Sequence, residues 1–385
     1  MEEFFLSNII KQKKDLFYVF LLSLVIFFVY SMFLTVPKYF TFGESIDFWS
    51  YFNQTVVKNF FNFHQIGLWD NRAGLGYPLI SNLSSQFYLP TIIFFFIADS
   101  LIAIKLTILL HLILGGISFY YLLKVFKLKS FVSLVGSIIF ISNFYVIDTV
   151  CNGFLSETYN LVWMPLTIAF LWQALFSKKN IFILFSAIAL SMHIYSMAIY
   201  SIYFTNTLVL FVFIFYFLHQ TIKKREGFYD TFIFLFKTSL VLLILTIGIS
   251  AIKLFSVLEY KAYSIRDSLP LYGNAGYQWD SFSIDSLSKI FNPFPWNLNY
   301  IFNINRTIDL FFWLIVVFAF FKKSKELVFV LITSLIATWA GFSRHAFIDI
   351  YPLFYYFIPG FNTIELPIRF FIILNLTIPI LLVQY

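Results

Sequence analysis

Residues 231–251 read TFIFLFKTSLVLLILTIGISA, a run in which Lys237 is the single charge. About 20 consecutive apolar residues are what an α-helix needs to cross the hydrocarbon core of a bilayer. Leu16–Val36 and Arg369–Tyr385 have the same character. All three are apolar on every side, whereas barrel strands alternate apolar and polar over about ten residues. The rest of the chain agrees: 385 residues, 60% hydrophobic, 12% charged, with a mean hydropathy of +0.84. Soluble domains carry roughly 25% charged residues. The sequence therefore predicts an all-α fold, a polytopic bundle of transmembrane helices, and excludes a soluble domain.

The 26 Lys and Arg outnumber the 19 Asp and Glu, giving +7. In a soluble protein that surplus suggests nucleic acid. Here the basic residues fall between apolar tracts and read as cytoplasmic topology signals, so no nucleic-acid partner is expected. The clusters are Lys11–Lys14, Lys124–Lys129, Lys178–Lys179, Lys223–Arg225 and Lys322–Lys325. An even number of crossings must separate one cluster from the next. Crossings are predicted at Leu16–Val36, Ser100–Leu123, Phe131–Ile147, Thr158–Phe176, Thr231–Lys253, Asp309–Phe321, Glu326–Phe342 and Ile368–Tyr385. Two more fall within 180–222, joined near His193–Ser201, for about ten helices in all. The apolar piece Tyr88–Ala98 is too short to span and would break the parity, so it is read as re-entrant or interfacial.

This places a multi-pass protein in the cell membrane with a cytoplasmic N-terminus and large extracytoplasmic loops at 37–99 and 256–308. Residues 1–385 form a single transmembrane domain. The chain stops at Leu382-Val383-Gln384-Tyr385 without a charged flank, so further helices beyond it are expected. The first apolar run is longer than a signal-peptide core and should remain as an anchor. Cys151 is the single cysteine, which rules out an internal disulfide.

The first loop carries the densest chemistry. It opens with Glu44 and Asp47, which at i, i+3 can share a helical face and there bind a divalent cation or leave one carboxylate as a general base. The same spacing also fits two solvated loop acids. Trp49, Phe52, Val56, Phe60 and Phe63 then recur at helical spacing opposite Asp47, Gln54, Lys58 and Asn62, predicting an amphipathic helix in the membrane interface. Trp69-Asp70-Asn71-Arg72 runs into Gly74-Leu75-Gly76-Tyr77-Pro78, a turn that an Asp70–Arg72 ion pair would fix. His193 and His219, at helix ends, read as solvated interfacial residues, and mid-helix His111 as facing a neighbouring helix.

These residues in this order resemble the start of the YfhO-like bacterial membrane proteins of the GT-C superfamily of polytopic glycosyltransferases. The likeness rests on the Gly43-Glu44 pair after helix 1, the aromatic helix, Leu68-Trp69-Asp70, Gly74 to Pro78, and Ser84-Ser85-Gln86-Phe87-Tyr88-Leu89-Pro90. Trp163-Met164-Pro165-Leu166, Pro359-Gly360-Phe361 and Leu366-Pro367-Ile368-Arg369-Phe370 extend it along the chain. Glu44 stands where the family usually has Asp, and Glu365 where it has arginine.

The resemblance implies a GT-C-like bundle whose external loops carry short interfacial helices. It implies inverting transfer of a sugar from a membrane-borne polyprenyl-phosphate donor to a glycan or glycolipid acceptor of the cell envelope. Glu44 or Asp47 would act as the base, with Trp69, Asp70, Arg72, Arg266 and Arg369 at the substrate. A divalent cation, Mg or Mn, is optional, with Glu44, Asp47, Asp148 and Glu157 as candidate ligands. Two other readings stay open: a transporter or flippase of a lipid-linked saccharide, and a non-catalytic fragment. A transporter should show intramembrane charges or broken helices in paired positions.

Overall fold

The computed structural model describes residues 2–35, 50–65, 67–70, 76–81, 87–151, 153–225, 227–261, 324–358, 361–363 and 367–383. Over these the chain is helical almost throughout. In order come α1 (Glu2–Thr35), α2 (Ser50–Phe63), α3 (Leu89–Ile97), α4 (Ser100–Val125), α5 (Ser130–Ser142), α6 (Phe144–Cys151) and α7 (Leu155–Ser177). They are followed by α8 (Ile181–Ser196), α9 (Ile199–Leu218), α10 (Phe228–Lys261), α11 (Lys325–Phe342), α12 (Tyr351–Phe357) and α13 (Phe371–Val383). A two-residue antiparallel ladder pairs β1 (Trp69–Asp70) with β2 (Tyr77–Pro78).

Six helical stretches are long and apolar enough to cross a membrane, built on α1, α4, α7, α9, α10 and α11. The α5–α6 pair would make a seventh as one bent span, and α8 and α13 are shorter apolar helices. Every expected crossing within the described residues coincides with one of these. The expected crossing Asp309–Phe321, and all of 262–323, lie outside the described residues. The protein is thus an all-α bundle with the character of a multi-pass membrane protein.

Local chemistry sets the helix ends. Asp99 caps α4 by accepting from the amides of Leu101 and Ile102 at 3.1 and 3.0 Å. Ser324 does the same for α11 through Leu327. Phe131–Ile147, read as one crossing, breaks at Asn143. Its Nδ2 donates to Phe140 O at 2.8 Å and its Oδ1 accepts from Val146 N at 3.1 Å, so one side chain ends α5 and starts α6.

Helix α4 lies at the centre, packed on α7, α1, α5 and α3. Gly115 and Gly116 permit this: a Cβ on Gly115 would sit 3.0 Å from Leu161 of α7, and one on Gly116 2.6 Å from Ile26 of α1. Small residues let helix backbones approach where no hydrophobic drive separates helix from lipid. Polar side chains add cross-helix bonds, such as Tyr30 Oη to Ile141 O at 2.8 Å and Tyr121 Oη to Gln173 Oε1 at 2.8 Å.

The basic turns gather at one end of the bundle. Asp15 of α1 meets Lys124 of α4 at 3.2 Å and accepts from Tyr120 Oη. Lys325 lies 3.5 Å over the ring of Phe176, two residues before Lys178, and its charge couples with those of Lys127, Lys223 and Lys224. The parity argument from sequence requires this convergence. The side of the membrane on which this end lies is open to test. After Cys151→Ser, single cysteines at Asn82 and Asn274 are expected to react with an impermeant maleimide from outside intact cells, and one at Lys179 only after lysis. The opposite labelling would invert the topology.

Candidate functional site

The far end of the bundle, about 30 Å away along α7 at 1.5 Å per residue, holds two buried polar clusters. The first surrounds Glu157 in the opening turn of α7, which is 5% exposed. Ser201 Oγ of α9 donates to its Oε2, and Tyr145 Oη of α6 donates to the same oxygen at 3.4 Å. Arg369, in the short turn Pro367–Phe370 before α13, couples in charge with both Glu157 and Tyr145. Its guanidinium lies 4.6 Å above the Tyr200 ring. A buried carboxylate is costly unless it is paired and hydrogen-bonded. Two hydroxyls meet part of that demand here, the charge of Arg369 acts on the carboxylate electrostatically, and the stacking on Tyr200 holds the arginine in place. A bond between the side chains of Asn143 and Asn375 ties the α5–α6 break to α13 nearby.

The second cluster lies two residues further along α7. Tyr88, just before α3, hydrogen-bonds His111 Nε2 of α4 at 2.8 Å and receives Trp163 Nε1 of α7 at 2.7 Å. His111 Nδ1 lies 2.7 Å from Thr107 O, a group that only accepts. The proton is therefore assigned to Nδ1, Nε2 is the acceptor, and Tyr88 donates to it. Tyr159 stacks on Tyr88 at 4.9 Å and tilts against His111 at 4.4 Å. This network fixes α3, a nine-residue helix, to the core.

The first loop appears in part. α2 is present where the aromatic spacing predicts it. Its inner side is Thr55 and Val56, with Val56 packed near Leu79, while Phe60 and Phe63 stay exposed. Phe60 and Phe61 lean edge-on against Phe96 of α3 at 5.3 and 5.6 Å. The β1–β2 ladder closes through Gly76 at φ +93°, where a Cβ would meet Trp69 Nε1 at 2.3 Å. Lys253 of α10, itself buried, donates to Ile80 O at 2.8 Å and anchors this hairpin.

The structure therefore separates Trp69, which is exposed, from Asp70, which is buried and reached by Thr55 Oγ1 at 3.5 Å. It brings Glu157 and Arg369 together. Asp148 sits half-buried on α6, and among the described residues no three His, Cys, Asp or Glu converge on a metal position. Glu157 takes the hydroxyls of Ser201 and Tyr145 instead, so Asp148 and Glu157 as described do not fit a divalent cation. Glu44, Asp47, Arg72 and Arg266 lie outside the described residues.

His111 faces its neighbours as expected. His193 does not fit its reading as a solvated end residue: it is fully buried in the last turns of α8, because α8 is covered by α7 and α10 to its end. In the sequence, Tyr88 stands out only as the start of the short apolar piece and in the resemblance, and Ser201 only as the end of a turn; neither of them, nor Tyr145 or Tyr159, is singled out there as a site residue. The available signal was Ser156-Glu157-Thr158-Tyr159-Asn160, a polar run opening an otherwise apolar span. Compared with models of known families and with curated proteins, the chain matches none.

Proposed function

We propose that the chain is a membrane glycosyltransferase that moves a sugar from a polyprenyl-phosphate carrier to an extracytoplasmic glycan or glycolipid of the cell envelope, as its resemblance to YfhO-like proteins implies. The observation that carries this reading is Arg369, stacked on Tyr200 and charge-coupled to Glu157 at the end of the bundle remote from the lysine turns. A lipid phosphate leaving group needs a fixed cation near the membrane surface, and arginine supplies a planar donor fork matched to phosphate. Glu44 or Asp47 takes the proton of the acceptor hydroxyl. The acceptor oxygen attacks the anomeric carbon, the bond from that carbon to the phosphate oxygen breaks on the opposite face, and Arg369 receives the released charge.

Glu44→Gln and Asp47→Asn are each expected to insert normally, and at least one to abolish transfer. Mass analysis of envelope glycans from cells with and without the gene should show a missing hexose-sized increment, reproduced by the inactive variant. Parental glycans in the double variant would defeat the assignment of this loop.

A second reading, transport of a lipid-linked saccharide, is favoured by Lys105, Glu157 and Lys253, all buried within the spans. It predicts a lipid-linked saccharide of unchanged mass that accumulates on the inner leaflet in cells without the gene, whereas the transferase reading predicts a donor that accumulates on the outer leaflet, so the leaflet of the accumulated lipid separates the two.

A further inference from the structure

Between α8, α9 and α10 lies a cleft of about 540 Å³, within the size range of small-molecule sites. Its walls are three helical stripes: Leu190, His193 and Ile194 from α8; Ile202, Asn206, Val209 and Phe213 from α9; and a face of α10 from Phe236 to Leu254. The cleft exists because α10 packs closely along α8 and only lightly on α9. Ser191 Oγ and Tyr195 Oη pin α8 to the carbonyls of Thr246 and Ile249 at 3.2 Å each. Phe236, Leu240 and Leu243 at its mouth are exposed on helices apolar enough to span a bilayer, so the cleft opens sideways to hydrocarbon.

Two polar groups of this wall are buried without partners among the described residues: both ring nitrogens of His193, and Thr246 Oγ1. His193 is fully buried. A neutral imidazole presents one donor and one acceptor, and a buried polar group left unmet is costly. Among the described residues no lysine or arginine lines the cleft, so none of them would balance a phosphate there. We propose that this cleft binds an uncharged lipid bearing a free hydroxyl, whose oxygen accepts from the protonated nitrogen of His193 and whose proton is donated to Thr246 Oγ1. Its tail lies along the apolar stripes. Neither Arg369 nor Glu157 is among the residues that line the cleft, and the proposal does not rest on the transferase reading.

The test uses the full chain in phosphatidylcholine nanodiscs with photoreactive diazirine probes: a diacylglycerol, a long-chain prenol, the O-methyl ether of each, and a phosphatidic acid. At least one free alcohol should label peptides of 190–194 or 236–254 at least tenfold more than its ether or the phosphatidic acid, and the stronger alcohol identifies the lipid class. His193→Phe should reduce that labelling to the level of the ether. Leu243→Trp, at the exposed mouth, should do the same without lowering thermal stability, which keeps the test decisive if the histidine variant fails to fold. Equal labelling by alcohol and ether, absence of labelling on α8 and α10, or labelling retained in either folded variant would overturn the proposal and leave the cleft to ordinary acyl chains.

Discussion

Arg369→Ala is expected to cut sugar transfer at least a hundredfold per unit of membrane-embedded protein. Two charge-assisted hydrogen bonds to a phosphate are worth about 1.5–3 kcal/mol each, and every ~1.4 kcal/mol of lost transition-state stabilisation is a factor of ten. The same change removes a positive charge that acts on the buried carboxylate of Glu157, so some stability is expected to be lost as well. Stability and activity would then fall together. The variant Arg369→Met with Glu157→Gln separates them, because the glutamine oxygen still accepts from Ser201 and Tyr145 while no charge is left uncompensated. The double variant should regain most of the thermal stability and none of the transfer. Arg369→Lys should keep part of the activity, since it retains the charge but loses the fork and the flat stacking on Tyr200. Transfer restored in the charge-balanced double variant would make Arg369 structural and remove the support it gives to the transferase reading.

What was legible in the sequence follows from what hydropathy measures. Apolar length marks the helices, and the lysine turns fix their parity, so the bundle and the gathering of Lys124, Lys178, Lys223 and Lys325 at one end are readable. Hydropathy does not say which face of a span is inward. Glu157 and Arg369 come from distant parts of the chain, and no spacing announces their meeting. Asn143 interrupts an apolar tract with one residue whose amide serves two helix ends, a bond pattern that composition hides. His193 sits where helix ends are often wet, and its burial is decided by how far α7 and α10 cover α8.

Tyr88→Phe is the substitution with the largest expected effect on stability for the loss of one atom. The ring keeps its volume and its stacking on Tyr159, so no cavity forms. The phenol oxygen, however, is the acceptor for Trp163 Nε1 and the donor to His111 Nε2. Removing it leaves both partners unmet at about 1–3 kcal/mol each, or about 2–6 kcal/mol together. Typical domain stabilities are about 5–15 kcal/mol. Combining Tyr88→Phe with His111→Phe removes one orphan and should recover part of the loss, which a purely steric account would not predict. The damage should also be local. α3 is held to the core through Tyr88, and α2 leans on α3 through Phe60, Phe61 and Phe96. Limited proteolysis should therefore cut 50–97 before the rest of the bundle unfolds, with transfer falling in step because Glu44 and Asp47 immediately precede α2. A Tyr88→Phe protein with parental melting and parental cleavage would show that the phenol is not what holds the first loop in place.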